Sequence, residues 1–194
     1  MNSVSEILTE RLILRELRPS DLEVLAKMNA DPRVMEYFPG ILSREESDAF
    51  AGRVRAHWAQ YGFGTWAVER REDGVFLGVT GLSHPRFEAH FTPCVEVGWR
   101  LAAPYWGKGY ATEAAKAAVR LGFEGLGLDQ IVSFTAPQNR RSRRVMEKLG
   151  MSHSAADDFD HPNMPERHPL RRHVLYRIQK GVWAESSGRA GRSR

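Results

Sequence analysis

The sequence predicts an α/β domain: a mixed, mostly antiparallel sheet of about seven strands flanked by about four helices. Three observations predict it. Short β-branched or alternating apolar runs recur along the chain, and between them lie longer segments with apolar residues at helical spacing. Gly, Pro and Asp punctuate the boundaries, setting the order β-α-α-β-β-β-α-β-α-β-β, which calls for helices on both faces of one sheet. The length of 194 residues suits one domain with a sizeable core. We therefore expect a single domain over 1–182, followed by a disordered basic tail over 183–194.

Arg11-Leu12-Ile13-Leu14-Arg15 reads as the first strand. Pro19-Ser20-Asp21 starts a helix to about Ala30, with Leu22, Leu25, Ala26 and Met28 on one side, and Asp31-Pro32 stops it. Ser43 and Glu46 have capping-box spacing for a second helix to about Gln60. Phe63 to Arg70 and Val75 to Ser83 form two strands joined by the turn Glu72-Asp73-Gly74. A strand at Val95 follows, then a helix from Gly109 to Gly125, a strand from Ile131 to Thr135 and a helix from Ser142 to Leu149. A last hairpin pairs 152–159 with 173–179 across a Pro/His-rich loop. No internal repeat is visible.

Composition narrows the function classes. Hydrophobic content of 42% and charged content of 27% are ordinary for a globular protein. No apolar run reaches the length of a membrane span, and the N-terminal residues lack the basic start and apolar stretch of a secretory signal. The single cysteine, Cys94, fits a reducing compartment, so a cytoplasmic location is expected. The formal charge is +4, but from Ala184 onward three arginines face one glutamate, which is half of that excess. The body is nearly balanced, which argues against a nucleic-acid-binding domain. Arg140, Arg141, Arg143, Arg144 and Arg167 form either a local basic surface or a solvated face.

Val95 to Met151 carries the chemistry. Val95, Val97, Trp99 and Leu101 alternate with Glu96, Gly98 and Arg100, a strand that feeds a loop ending in Gly107-Lys108-Gly109 and a helix. A strand, a glycine turn and a helix start can hold a phosphate: the first helical N–H groups lack partners and sit at the positive end of the dipole. A mononucleotide P-loop needs Lys followed by Ser or Thr, but Lys108 is followed by Gly109. A dinucleotide fingerprint needs a third glycine where Thr112 stands, and an acid ending the next strand, whereas Asp129 precedes it. Coenzyme A remains, since its pyrophosphate needs only backbone donors.

Gly107-Lys108-Gly109-Tyr110-Ala111-Thr112-Glu113-Ala114, Asn139-x-x-Ser142 and Glu147-Lys148-Leu149-Gly150-Met151 resemble the acetyl-CoA signature of the GNAT superfamily of N-acyltransferases. Thr9-Glu10-Arg11-Leu12-Ile13-Leu14-Arg15 and Asp21-Leu22 resemble its RimJ/RimL-like branch. The resemblance spans about Thr9 to Ile178 and departs at Pro104, where the family usually has Gln or Arg. It implies a sheet splayed between the fourth and fifth strands with acetyl-CoA in the opening, and transfer of an acetyl group to an amine by direct attack in a ternary complex.

By that resemblance the cofactor contacts are Val97, Trp99, Gly107, Lys108, Gly109, Tyr110, Ala111, Thr112, Asn139 and Ser142. The strand at Val95–Trp99 lies beside the pantetheine and offers a backbone N–H to the carbonyl oxygen. Gly98 marks either close approach of a ligand or a packing glycine. Asn139 binds the pantetheine arm, or caps the following helix, or both. Ser142 is the candidate proton donor to the leaving thiolate, with Tyr110 a rival that is more at home in packing. Glu96 is the candidate general base, or else a surface ion-pair partner. A free α-amine is already partly neutral near pH 7, so it needs less of a base than lysine does.

The acceptor is the N-terminal amine of a protein or a small amine. A non-catalytic acyl-CoA sensor of the same fold is the alternative. Neither a metal nor a membrane partner is expected, and the sequence leaves a homodimer open. The acids and histidines of 157–168 match no zinc spacing, and prolines prevent a helix that would align them; the segment reads as a structural turn or as a loop over the acceptor site. Trp58, Tyr61, Phe63 and Trp66 read as core or acceptor-pocket wall, and nothing marks Cys94 as activated.

Overall fold

The computed structural model describes residues 6–190. They fall into two compact units, 6–83 with 98–118, and 84–97 with 119–190.

In the first unit, β1 (Glu6–Leu8), β2 (Leu12–Arg15), β3 (Thr65–Arg70) and β4 (Phe76–Ser83) pair as antiparallel neighbours. The Gly98–Leu101 part of β5 (Glu96–Leu101) lies beside β4, where Thr80 Oγ1 donates to the Gly98 carbonyl at 2.9 Å. The close approach of these two strands depends on Gly78. It has φ +147°, and a Cβ there would sit 2.3 Å from the Arg100 carbonyl oxygen. β1 was not foreseen, because its three residues, EIL, are too few to show a period.

Helix α1 (Leu22–Asn29) and helix α2 (Arg44–Tyr61) cover one face with Leu25, Met28, Ala51, Ala67 and Val79 buried together. The capping box at α2 is present in both directions, Ser43 taking the Glu46 N–H and Glu46 taking the Ser43 N–H, and Gly62 closes the helix at φ +73°. Ahead of α1 the Arg15 guanidinium grips both carboxylate oxygens of Asp21 at 2.7 and 2.9 Å and reaches Glu69 at 2.7 Å. Burial would push the Asp21 carboxyl up, but Arg15 and the Arg18 N–H outweigh it and hold it below the usual range.

In the second unit, β6 (Gln130–Thr135) runs parallel to the start of β5, with Glu96 opposite Val132. It is antiparallel to β9 (Arg172–Gln179), which also carries the short strands β7 (Ser152–His153) and β8 (Phe159–Asp160). Phe91, Val132, Phe159 and Leu175 form its core. Helix α3 (Tyr110–Arg120) passes from the first unit to the second and ends in a wider π turn, Leu121–Gly125. Helix α4 (Arg140–Lys148) begins two residues before the position the sequence suggested, since Asn139 is its cap. Gly150 at φ +79° ends it, with Met151 donating to Met146 and Gly150 to Glu147.

The tail differs from expectation. Lys180–Ala190 is a fifth helix, α5, and Trp183 is buried 6.0 Å from Phe123. The polar, arginine-bearing composition pointed to disorder from residue 183, but one tryptophan with a ring to pack against anchors the first turn. Residues 191–194 lie outside the described residues. Among the described residues no helix is long and apolar enough to cross a membrane.

Candidate functional site

The glycine loop belongs to the first unit. After β5 the chain makes a 3-10 turn, Ala103–Tyr105, which accommodates Pro104, and Trp106 Nε1 donates to the Leu101 carbonyl at 2.7 Å. Gly107 and Gly109 then adopt φ +75° and +85°, left-handed values that side chains disfavour. A Cβ on Gly107 would meet nothing within 4 Å, so the requirement there is conformational and not spatial. Residues 107–109 are exposed, and α3 begins at Tyr110 with the Glu113 N–H bonded to Gly109 O. The N–H groups of Tyr110, Ala111 and Thr112 therefore have no intrahelical acceptor.

One side chain holds this loop to the start of the chain. Glu113 accepts from Thr9 Oγ1 (2.7 Å), from the Arg11 N–H (2.8 Å) and from Arg11 Nε (2.7 Å), and Arg11 Nη1 donates to the Lys108 carbonyl at 3.0 Å. The Arg11 guanidinium lies 4.7 Å from the centre of the buried Tyr110 ring. Burial pushes the Glu113 carboxyl up, but the bonds from Thr9 and Arg11 prevail and keep it below the ordinary glutamate value. The carboxylate is thus ionised at neutral pH, and the turn is fixed from behind while its outer side stays open. All five residues stand in two separate motifs of the sequence, Thr9 and Arg11 in one and Lys108, Tyr110 and Glu113 in the other. What the sequence does not show is that folding brings together groups 102 positions apart, one beside β2 and one on helix α3.

Along β5 the side chains alternate as expected. Val97 is 1% exposed and belongs to the core, so it can serve a ligand only through its backbone; Trp99 is half-buried. Gly98 is exposed, and a Cβ there would meet nothing within 4 Å. It is therefore not a packing glycine, in contrast to Gly78. Glu96 is half-buried.

The second unit brings Asn139 and Ser142 together. Asn139 Oδ1 accepts the Ser142 N–H at 3.1 Å, and its amide donates to Thr135 Oγ1 at 3.0 Å. Asn139 is therefore the N-cap of α4, and the bond to the end of β6 fixes its side chain from both ends. Ser142, in the first turn of α4, is half-buried. The basic stretch beside it is partly committed to structure: Arg143 donates to Tyr176 Oη at 3.2 Å and to Pro137 O at 3.2 Å.

Cys94 is half-buried, and burial together with the neighbouring Glu96 charge pushes its thiol up to about 11, so it is no nucleophile at neutral pH. In the 157–172 segment, Phe159 is buried and its ring stands 4.8 Å from Phe91, while Met164 is buried and Arg171 donates to its carbonyl at 2.8 Å. Burial lowers His161 to about 4, helped by the charge His173 would carry. Among the described residues no group of three or more His, Cys, Asp or Glu could hold a metal ion. Trp66 is fully buried edge-on to Trp58, and Phe63 is buried too, while Tyr61 keeps 40% exposure.

Comparison with known proteins points to one family. The family model for the acetyltransferase (GNAT) domain matches residues 11–152. YnaD of Bacillus subtilis, an uncharacterised N-acetyltransferase, is 33% identical over 147 residues, 75% of this chain and 81% of that one. The FsC-acetyl coenzyme A-N(2)-transacetylase of Aspergillus fumigatus is 31% identical over 188 residues, covering 90% of this chain and 76% of its own. An acetyltransferase structure from Agrobacterium tumefaciens superposes with a TM-score of 0.75 at 31% identity, covering 91% and 95% of the two chains.

Proposed function

The chain belongs to the GNAT acetyltransferase family, and from that premise we propose that it moves an acetyl group from acetyl-CoA to a primary amine, which attacks the thioester directly in a ternary complex. The observation that carries this reading is the glycine loop. Two left-handed glycines precede three helical N–H groups that have no intrahelical acceptor, and the Glu113–Arg11 clamp holds the turn in that form. A pyrophosphate suits such donors, and the positive end of α3 adds to the attraction. The Aspergillus relative is named for drawing on acetyl coenzyme A, which supports the same donor here.

The other roles follow from this. The open strand face at Gly98 takes the pantetheine arm, with backbone groups of Val97 and Trp99 as its partners and an N–H for the thioester oxygen. Asn139 binds the arm with whatever donor capacity its cap leaves. Glu96 accepts the ammonium proton, directly or through a water, and the neutral amine then attacks the carbonyl carbon. The C–S bond breaks as Ser142 gives its hydroxyl proton to the departing thiolate, and the second proton, left on the attacking nitrogen, passes through water to restore the serine hydroxyl as the amide forms. The thiol of Cys94, held protonated, takes no part.

Thr9 and Arg11 support placing the chain in the RimJ/RimL-like branch, because the opening motif of that branch supplies the clamp on the glycine loop. A cytoplasmic setting fits the lone free cysteine. The test is release of CoA thiol from acetyl-CoA against a panel of amines. Product formation on at least one amine supports transfer; tight cofactor binding with no turnover on any amine would turn the reading into an acyl-CoA sensor.

A further inference from the structure

Among the described residues Arg100 is a cation without a counter-ion. It lies on β5, and its Nε is shut off from solvent with no hydrogen-bond partner. Nη1 donates only to the thioether of Met35, at 3.4 Å, a weak acceptor. The guanidinium carbon lies 4.7 Å from the centre of the Phe50 ring and 5.0 Å from that of Phe38. Among the described residues no carboxylate forms an ion pair with it, and the nearby charge is the like-signed Arg53. Burial, with Arg53, draws its proton affinity down to about 10, so it remains charged at neutral pH. Elsewhere in the same unit a buried arginine is fully matched: Arg15 holds Asp21 and Glu69.

An unpaired guanidinium out of water is costly, and chains that keep one normally supply its anion. Here the fork of donors lies against two aromatic rings with the Met35 thioether as its one acceptor among the described residues, while Arg100 as a whole stays half-buried, not sealed. Its place on the strand gives the anion a location. Side chains two apart on a strand share a face, so Arg100 follows Gly98 on the same face at about 6.7 Å. Gly98 is where the proposed function puts the thioester arm.

We propose that Arg100 binds the carboxylate of the acceptor, so that the substrate class is a small amine carrying a carboxylate, of the amino-acid type. The planar fork matches a carboxylate with two parallel N–H donors, and the rings of Phe38 and Phe50 keep the fork in one orientation. Phe38, 38% exposed, offers apolar surface next to this charge for the rest of such a molecule. The inference deepens the acetyltransferase reading and rests on it for the amine's fate, but the anion site can be tested without turnover.

The experiment is calorimetric titration of the protein saturated with CoA, which carries no acetyl group, using the common amino acids and their carboxamides as matched pairs. At least one amino acid is expected to bind 30-fold or more tightly than its carboxamide. Arg100→Gln should abolish that preference and leave the CoA affinity within twofold. No preference in any pair, or a preference that survives Arg100→Gln, overturns the proposal. Arg100→Met provides the fold control. Replacing an unpaired charge by an apolar chain of similar length should leave the melting temperature unchanged or raise it by about 2–4 °C. A fall of more than about 5 °C would show a structural arginine and overturn the proposal. Failure of the acetyltransferase reading looks different: amino acids would bind through Arg100, yet acetyl-CoA would release no thiol in their presence.

Discussion

Gly98→Val separates cofactor binding from folding. The glycine lies in β5, its φ is outside the left-handed range, and a Cβ there meets nothing within 4 Å. Valine suits a strand better than glycine, on a scale that spans about 1 kcal/mol. It also leaves the unfolded chain less entropy to lose, worth about 0.4–1 kcal/mol. The free variant should therefore be as stable as the parent or up to about 1 kcal/mol more so, a rise of about 2–4 °C in melting temperature. The two added methyl groups occupy the face assigned to the pantetheine arm. Steric exclusion there should weaken acetyl-CoA at least about tenfold, or 1.4 kcal/mol. Thermal unfolding without cofactor and calorimetric titration with acetyl-CoA read the two effects separately. Unchanged affinity in a well-folded variant would refute the placement of the arm, and a large loss of stability would refute the reading of Gly98 as an open position.

Gly107→Val acts through the backbone, since φ +75° is strained for a branched residue and space is not limiting. About 1–3 kcal/mol of strain at an exposed turn should distort the loop and weaken acetyl-CoA about tenfold or more, with a modest fall in melting temperature. Glu113→Gln keeps the shape but removes the charge facing Arg11. The KM for acetyl-CoA should rise several-fold with kcat at saturation little changed, and an unmoved KM would mean the clamp is irrelevant to the loop. Ser142→Ala keeps the N–H that Asn139 caps and removes only the hydroxyl. Turnover should fall about 100-fold or more while the acetyl-CoA Kd stays within twofold, and an unaffected kcat would move the acid role elsewhere.

His161 predicts a pH effect on stability. Its folded value, about 4, lies below the 6.5 of an unperturbed imidazole, so the unfolded chain takes up the proton first as pH falls. The stability it contributes is complete above pH 6.5 and is lost progressively between 6.5 and about 4. The melting temperature should drop between pH 7 and pH 5, and His161→Leu should shrink that drop; an equal drop in the variant would assign the effect to other groups.

Most elements were legible because each carries its own local signal. The Ser43/Glu46 box and the Glu72-Asp73-Gly74 turn both appear where their residues require. Local signals fail where the decisive partner is distant. Three-residue β1 exists because β2 is there to pair with it, and α5 persists past residue 183 because Trp183 finds Phe123. The candidate site shows the same split. Glycines and the Asn139 cap are legible in sequence, being short-range requirements. The clamp from Thr9 and Arg11 to Glu113 is not, nor is the lack of a counter-ion for Arg100 among the described residues, because a sequence shows which charges exist but not which ones meet. Gly98 and Gly78 are both glycines within strands, and only the space around each tells an open face from a close strand contact.

The central claim is direct transfer from acetyl-CoA to an amine within one ternary complex. Initial rates measured over a grid of acetyl-CoA and amine concentrations test it most directly. The account predicts double-reciprocal lines that intersect, together with an unmodified protein mass after incubation with acetyl-CoA alone. Parallel lines with an acetyl adduct on Cys94, or acetyl-CoA binding with no turnover on any amine, would contradict it.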